Sequence, residues 1–556
     1  MKPFRAAAAV ALAVSLAVPA AAQAPSSAPI SPDRLLAHVK ELAAPAYHGR
    51  APGGPGEQTT IDYLIAQFKA LGLKPAGDNG GWTQDVPLVR FEPGPAQITL
   101  AMAGQARPLT MGQDIVLWTQ RPVPRVAIEN APLVFVGYGV TAPERSWDDY
   151  KGQDLKGKIA VFLINDPDFE AQPGEPVAGK FGGKAATYYG RWTYKYEEAA
   201  RRGALGALIV HETLPAAYPW STVVAGSRET FDVVRPDPAK DKPLVQGWIQ
   251  HDLAVDLFRS AGLDYDAEKV RARRADFRPV ELKGAQLSAA FDNKVERLTS
   301  RNVLAALPGT ARPQESVMYG AHWDAYGEGP PDASGDRIRH GAADDGIGVA
   351  GVLEIARAFA AGPRPKRTIV FGVWTAEERG LLGSEYYAEH PSYPLAKTAA
   401  NFTMDVLETA GPSRDLVLVG SGQNALEDDL AGVLKGQGRT LTPDPHPERA
   451  LFYRADHFSI AKRGVPTLLL MGMAGGPDLV QGGRAAGEQW VSDYTTRCYH
   501  QVCDQVTPAW DVRGAAQDVA AIYEAGRAIA DSDRWPQWRP TSEFKAIREQ
   551  TAGERK

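Results

Sequence analysis

The middle of the chain alternates buried-type β-strands with an amphipathic helix, and this alternation constrains the fold more than any other feature. Apolar residues 317–321 predict a strand, residues Ile347–Ala361 predict an amphipathic helix, and residues 368–374 predict a second buried strand. Further strands are predicted at residues 401–407 and 465–471. Strands that alternate with helices form layers around a parallel sheet. We therefore predict an α/β layered domain with a largely parallel sheet.

The composition is that of a soluble globular protein and excludes some classes of partner. The chain has 556 residues, of which 44% are hydrophobic and 23% are charged, and its formal net charge is −5. This composition can bury a substantial core, so disorder is excluded as the dominant state. Because the chain has no basic excess, we expect no nucleic-acid partner.

The N-terminus has the pattern of a secretory signal peptide. Lys2 and Arg5 precede an apolar run over residues 6–18, and small residues follow it. The run is too short to span a bilayer, although a single membrane anchor is the alternative interpretation. We predict a signal peptide over residues 1–22 that is cleaved near Ala22. The mature protein would then be exported, periplasmic or secreted, and no later apolar run predicts a membrane span.

The two cysteines of the chain lie close together in sequence. Cys498 and Cys503 are separated by five positions and bracket His500. In an oxidising compartment such a pair favours a small disulfide ring over two free thiols. We therefore predict a disulfide beside this histidine.

Acidic and imidazole side chains end or follow the predicted strands, and one more imidazole lies in the cysteine segment. Ligands bind beyond the carboxyl ends of strands in sheets of this kind. Two imidazoles and three carboxylates suit a pair of zinc ions with one bridging carboxylate, whereas calcium or magnesium sites use oxygen ligands alone. Eight residues at these positions are candidates from which such a set of ligands and its supporting groups could be drawn: His322, Asp324, Asp344, Asp345, Glu377, Glu378, Asp405 and His500.

Two of these segments indicate how the residues beside the metal ligands would act. The adjacent carboxylates of Glu377 and Glu378 can point in different directions, one to metal and one to a bound water. Asp324 is placed to accept the proton from the ring nitrogen of His322 that the metal does not use.

The motifs of other enzyme classes are incomplete or absent. His211-Glu212 lacks the second histidine of the zincin helix motif, and the chain has neither a Gly-x-Ser-x-Gly elbow nor a phosphate-binding loop.

The motifs at these residues resemble those of the di-zinc exopeptidase family of bacterial secreted aminopeptidases and glutamate carboxypeptidase II. The matching segments are GAHWDAYG, GAADDGIGVAGVLEIARAF, WTAEERGLLGSEYYAEH, NFTMDVLETAG, ADHFSIAKRGVP and YHQVCD. The resemblance implies five ligands of two zinc ions: His322 and Asp405 for one ion, Glu378 and His500 for the other, and Asp344 bridging both. It also implies that Glu377 is the general base, that Asp324 supports His322, and that Tyr499 stabilises an oxyanion.

The resemblance also implies a domain organisation. Residues 131–280, rich in short apolar strands, resemble the protease-associated domain that many members of the family carry as an insertion. We therefore expect a three-layer α/β/α zinc-peptidase domain with a central mixed, largely parallel sheet, and an inserted β-rich domain. The expected boundaries are residues 30–128 and 283–535 for the peptidase domain, 129–282 for the insertion, and 536–556 for a C-terminal tail.

Several other residues are open to two interpretations. His340 precedes Asp344 by four positions but is interpreted as a pocket-wall or loop residue. His457 is interpreted as a structural residue or as one that supports a metal ligand without binding metal itself. An aromatic group could line a substrate-binding face or form the core of the inserted domain; its members are Tyr188, Tyr189, Trp192, Tyr194 and Tyr196.

The predicted function is that of an exported zinc exopeptidase, an aminopeptidase that hydrolyses peptides with metal-activated water and a glutamate base. The first alternative is a carboxypeptidase of the glutamate carboxypeptidase type, which needs cationic groups such as Arg379, Arg449 or Arg454 for the terminal carboxylate of its substrate. The second is a binding protein on the same scaffold that has lost catalysis. Such a protein would lose ligands, and here all candidates are present.

Overall fold

The computed structural model describes residues 30–555, so the predicted signal peptide lies outside the described residues. The α-helices are α1 (Pro32–Leu42), α2 (Glu57–Ala70), α3 (Trp192–Arg201), α4 (Thr213–Ala216), α5 (Trp220–Gly226), α6 (His251–Ser260), α7 (Tyr265–Ala272), α8 (Ile347–Ala361), α9 (Leu382–Glu389), α10 (Leu426–Gly436), α11 (His457–Ala461), α12 (Gly483–Asp493), α13 (Arg513–Asp531) and α14 (Lys545–Gln550). Within residues 30–555, no helix is both long and apolar enough to cross a membrane.

The β-strands form two large arrays joined by one long strand, together with small two-stranded pairs. The strands are β1 (Lys74–Pro75), β2 (Thr83–Pro93), β3 (Gln97–Met102), β4 (Gln105–Pro108), β5 (Ile115–Trp118), β6 (Arg125–Phe135), β7 (Thr141–Ala142), β8 (Trp147–Asp148), β9 (Ile159–Leu163), β10 (Gly206–His211), β11 (Thr230–Val233), β12 (Val245–Gln250), β13 (Val280–Leu307), β14 (Arg312–His322), β15 (Gly327–Glu328), β16 (Ile338–Arg339), β17 (Arg367–Trp374), β18 (Thr398–Met404), β19 (Asp415–Leu418), β20 (Thr440–Pro443) and β21 (Thr467–Leu470).

The first array is the central mixed sheet, with strand order β21-β18-β14-β17-β13. The first four of these strands are parallel, and β13 runs antiparallel to β17 on one side and to β2 on the other. The parallel strands are buried along almost their whole length, which explains their continuous apolar runs.

Helices cover both faces of the central sheet. Alternate residues of β14 point to opposite faces, so Val317 and Tyr319 pack in a core with α1, α2, α8 and α13. Met318 points the other way, into a second core that includes Tyr387 of α9 and Ile460 of α11. The prediction of an α/β fold with a central mixed sheet is therefore confirmed, and the helix predicted at Ile347–Ala361 has the same bounds in the structure.

The second array shares β13 with the first. Its strand order is β13-β6-β9-β10-β12-β5, with β6, β9, β10 and β12 parallel and with β3 and β4 beyond β13. The predicted boundaries at 128/129 and 282/283 lie within β6 and β13, and β3 to β5 also belong to this array. The buried rings of Tyr194 and Tyr196 pack in its two apolar cores, as one of the two interpretations of the aromatic group expects.

Candidate metal centre

The candidate ligands meet at one edge of the central sheet because the strands that carry them are parallel. His322 is the last residue of β14, Glu377 and Glu378 follow β17, and Asp405 follows β18. The carboxyl ends of these strands lie side by side, which is where sheets of this kind bind their ligands. Asp344 reaches the same edge from the turn before α8.

The ligand atoms form two groups that share one carboxylate. The first group is His322, Asp344 and Asp405, and the second is Asp344, Glu378 and His500. In the first, the Nε2 atom of His322 lies 3.2 Å from Asp344 Oδ1 and 3.9 Å from Asp405 Oδ1. In the second, the Nε2 atom of His500 lies 3.1 Å from Asp344 Oδ2 and 3.2 Å from Glu378 Oε2. The two oxygens of Asp344 therefore face different groups.

Three polar atoms of this centre are buried without a hydrogen-bond partner among the described residues. They are Nε2 of His322, Nε2 of His500 and Oδ2 of Asp344. Buried polar atoms normally have a partner, so these atoms require a further group between them. The mixed nitrogen and oxygen donor set fits a borderline cation such as zinc. The residues present thus fit two metal ions held by a shared carboxylate.

The electrostatics of the centre also favour bound cations. Burial raises the pKa of Glu377 well above its usual value, and the neighbouring carboxylates of Asp405 and Glu378 raise it further. Burial and the carboxylate of Asp344 raise the pKa of Glu378. Burial lowers the pKa of His500, but Glu378 and Asp344 outweigh this effect and raise it to about 10. Several buried carboxylates at one place repel one another, and divalent cations would remove that repulsion.

Asp324 braces the turn that carries both glutamates. Its carboxylate accepts hydrogen bonds from the backbone N–H of Glu377 at 3.0 Å and from that of Glu378 at 3.3 Å. The Nδ1 atom of His322 lies 3.0 Å from the carbonyl oxygen of Asp324 and 3.6 Å from its carboxylate. The predicted partner of His322 is thus present, but the backbone oxygen is the nearer acceptor because the carboxylate is engaged by the two amides.

A second layer of residues supports the centre; sequence reasoning named Asp345 as a candidate without this role, and it missed Arg50 and Asp504. Asp345, a neighbour of the shared carboxylate, is fully buried and accepts hydrogen bonds from the backbone N–H groups of His322, Gly348 and Val406 at 3.0 to 3.2 Å. Arg50 and Asp504 hold the backbone of the same loops. Hydrogen bonds to backbone groups follow no fixed spacing, so the sequence did not indicate Arg50. Asp345 and Asp504 lie in the segments GAADDGIGVAGVLEIARAF and YHQVCD, but those motifs did not indicate their supporting role.

Two tyrosine rings lie beside the second ligand group, which is Asp344, Glu378 and His500. The ring of His500 lies between Tyr499, at a centroid distance of 3.6 Å, and Tyr326, at 4.5 Å. Cys498 and Cys503 form the expected disulfide around this segment. Tyr326 was not among the predicted residues, although it lies four residues after His322 in the segment GAHWDAYG.

The two histidines interpreted as structural lie in neither ligand group. His340 hydrogen-bonds with the carbonyl oxygen of Ala43 and the carboxylate of Asp336. His457 is fully buried in an apolar cluster, and burial lowers its pKa to about 3.

The arginines considered for a carboxypeptidase have different surroundings. The guanidinium of Arg379 lies between the rings of Phe231 and Tyr326, and its Nη1 is 3.6 Å from Glu229. Arg449 donates to the carbonyl oxygens of residues 473 and 474. Arg454 is exposed.

Comparison with known proteins points to one peptidase family. Residues 302–523 match the model of Peptidase family M28. The chain is 28% identical over 236 residues to leupeptin-inactivating enzyme 1 of Streptomyces exfoliatus, a match that covers 41% of this chain and 49% of that protein. It is 26% identical over 460 residues to the probable lipoprotein aminopeptidase LpqL of Mycobacterium tuberculosis, a match that covers 79% of this chain and 73% of that protein.

Two further similarities concern a shorter segment and a solved structure. Aminopeptidase NAALADL1 of Mus musculus is 35% identical over 129 residues, which are 22% of this chain and 16% of that protein. A solved aminopeptidase from Aneurinibacillus sp. strain AM-1 has a TM-score of 0.48 and 21% identity, covering 90% of this chain and 94% of that one. The chain thus matches about half or less of the length of the Streptomyces and mouse proteins. The segment at residues 302–523, which matches the model of Peptidase family M28, carries both groups of candidate ligands.

Proposed function

We propose that this chain is a zinc-dependent exopeptidase that releases N-terminal residues from peptides. The observation that carries the proposal is the sharing of Asp344 between two groups of candidate ligands, each with an unpartnered buried imidazole nitrogen. A pair of metal ions with a bridging carboxylate is an arrangement used by aminopeptidases. Relatives named aminopeptidases support the same activity.

The proposed ligands are His322, Asp405, Glu378 and His500, with Asp344 bridging. When bound, zinc would supply Lewis-acid polarisation of the scissile carbonyl and would favour deprotonation of the attacking water. The carboxylates of the centre offset the charge of two divalent cations, so two zinc ions per chain are proposed.

Glu377 is proposed as the general base because it faces the first group without belonging to either. Its Oε2 lies 3.9 Å from Nε2 of His322, and its side chain is 10% exposed. From there the carboxylate can accept the proton of the attacking water and later donate it to the departing amine. Asp324 orients the base, since it holds the backbone N–H of Glu377.

Tyr499 is proposed to stabilise the oxyanion. Its ring packs against that of His500, so the phenol is held beside the second group. Burial raises the pKa of Tyr499 well above 10, and the carboxylate of Asp344 raises it further. The hydroxyl therefore stays protonated at neutral pH and remains a hydrogen-bond donor.

The surroundings of two of the three candidate arginines favour an aminopeptidase over a carboxypeptidase. Arg379, the nearest of them in sequence to the glutamates, is held by two rings and faces Glu229. Arg449 is engaged by backbone carbonyls. Arg379 and Arg449 are thus engaged by other groups, whereas Arg454 is exposed and its charge acts on Tyr499. The preference for an aminopeptidase therefore rests on the acidic centre, which suits the ammonium of a free N-terminus.

Two blocked dipeptides test the proposal. An aminopeptidase hydrolyses a dipeptide amide with a free N-terminus and does not hydrolyse its N-acetylated counterpart with a free carboxylate. A carboxypeptidase has the opposite preference, which would refute the proposed end of attack. Dialysis against a chelator should abolish hydrolysis, and added zinc should restore it. A catalytically inactive binding protein would cleave neither peptide, with or without added zinc.

Location and domain organisation are part of the same proposal. The pattern of residues 1–22 supports export through a signal peptide. An inserted protease-associated domain is supported by the second apolar core, which is separate from that of the central sheet. This core extends from Ile98 to Phe291, beyond the expected bounds of 129–282. N-terminal sequencing of the exported protein tests the cleavage near Ala22.

A further inference from the structure

A buried arginine outside the M28 segment contacts the loops that carry the candidate ligands. Arg50 lies at residues 45–50, just after α1, and its side chain is fully buried. Its Nε donates to the carbonyl oxygen of Trp323 at 2.7 Å. Its Nη1 donates to the carbonyl oxygens of Leu42 at 2.8 Å and His340 at 2.7 Å, and its Nη2 to that of Gly341 at 2.8 Å.

The acceptors lie next to candidate ligands on two different loops. Trp323 directly follows His322, whereas His340 and Gly341 begin the turn that leads to Asp344. The backbone oxygen of Arg50 also accepts a hydrogen bond from the N–H of Ala325 at 3.2 Å. One planar guanidinium thus joins the loop of His322 to the loop of Asp344 with donors in a fixed geometry.

Asp504 holds the Asp344 loop from the other side. Its carboxylate accepts hydrogen bonds from the backbone N–H of Ala343 at 2.9 Å and from that of Asp344 at 3.1 Å. Asp504 directly follows Cys503, which closes the disulfide ring around His500. The loop of the shared carboxylate is therefore joined to the loop of His322 through Arg50 and to that of His500 through Asp504.

We propose that Arg50 is a positioning residue of the metal centre, which together with Asp504 fixes the shared carboxylate of Asp344 relative to both imidazoles. This inference rests on the proposed function only in requiring that the centre binds metal. Because Asp344 contributes to both groups, a small displacement of its loop lengthens ligand distances at both sites. Metal sites need their ligands held within about 0.5 Å, and loss of a supporting residue typically costs about 10- to 100-fold in affinity.

The test compares a buried arginine at the centre with a buried arginine remote from it. Arg50→Lys keeps the charge but cannot make the four hydrogen bonds. Arg548→Lys is the matched control, because Arg548 is 1% exposed and donates to the backbone oxygen of Thr398, at the start of β18 and opposite to its metal-bearing end. Asp504→Asn is a milder second variant that keeps the size of the side chain and one acceptor oxygen.

Zinc affinity by chelator competition and melting temperature of the metal-free protein are measured for all three variants. We expect Arg50→Lys and Asp504→Asn to bind zinc at least tenfold more weakly than the parent, and Arg548→Lys to bind it within twofold. In zinc-saturated protein, kcat should fall in the first two variants while KM stays within about twofold, since they do not touch the substrate.

Separate outcomes overturn the inference and the proposed function. If Arg50→Lys and Asp504→Asn lower only the melting temperature and bind zinc like the parent, Arg50 has a purely structural role and the inference is wrong. If Arg50→Lys does not fold, the zinc affinity of Asp504→Asn decides alone. A parent protein that binds two zinc ions but cleaves no peptide would instead refute the proposed function, and the affinity comparison would still decide the role of Arg50.

Discussion

Glu377 and Glu378 allow a sharp test of the centre, because they are adjacent, similarly buried and assigned different roles. Their side chains are 10% and 5% exposed. Only Glu378 belongs to a ligand group, and Glu377 lies 3.9 Å from Nε2 of His322. We expect Glu377→Gln to lower kcat by about 10²- to 10⁴-fold, the usual contribution of a general base. This factor corresponds to about 3 to 5 kcal/mol of activation free energy.

The matched variant Glu378→Gln removes a ligand instead of the base. We expect Glu377→Gln to retain two zinc ions per chain and Glu378→Gln to retain fewer after gel filtration in a weak chelator, measured by plasma mass spectrometry. Turnover of a dipeptide amide at saturating substrate gives kcat for both. If Glu377→Gln kept kcat within tenfold of the parent, or lost zinc as Glu378→Gln does, the assigned roles would be refuted.

Other predictions concern stability and proton coupling. Replacing both Cys498 and Cys503 with serine should lower the free energy of unfolding by about 2 kcal/mol in urea titrations, because a short loop is released in the unfolded chain; an unchanged midpoint and slope would contradict this. Burial lowers the pKa of His457 to about 3, so the unfolded state binds its proton more tightly and stability is lost as pH falls from about 6.5 towards 3. His457→Gln should flatten this part of the stability profile, and a profile as steep as that of the parent would argue against it. Zinc binding at pH 7.5 should release protons from His322 and His500, whose pKa values are raised in the metal-free centre; calorimetric heats that do not depend on the ionisation enthalpy of the buffer would refute this.

The central sheet and the meeting of the candidate ligands could be predicted from the sequence because both follow from the same apolar runs. Each buried strand is visible as a run, and its end locates the polar residue that follows. His322 and Asp405 are found in this way, and the parallel order of β14 and β18 brings them together. His500 lies on no strand, and only the motif around it indicated its place.

The supporting residues and the division of the chain could not be predicted. Arg50 and Asp504 act through backbone carbonyls and amides, and their partners are set by the fold and not by a spacing. Residues 280–307 form a single strand that passes from one array to the other, whereas the expected domain boundary at 282/283 lies within it. Strand pairing depends on distant residues, so the sequence of β13 alone carries no sign of it.

The continuity of β13 has a consequence for how this architecture can be divided. Its pairing with β2 ends at Asn293 and Pro93, and from Gln286 to Ala290 it pairs with β3 instead. An excision that follows this pairing would therefore remove residues 94–292, a longer stretch than the expected 129–282. Removal of this stretch would take away β11, which pairs with the outer edge of β2. The shortened protein would then expose an unpaired strand edge, a site at which chains associate, so a viable excision must also cap β2.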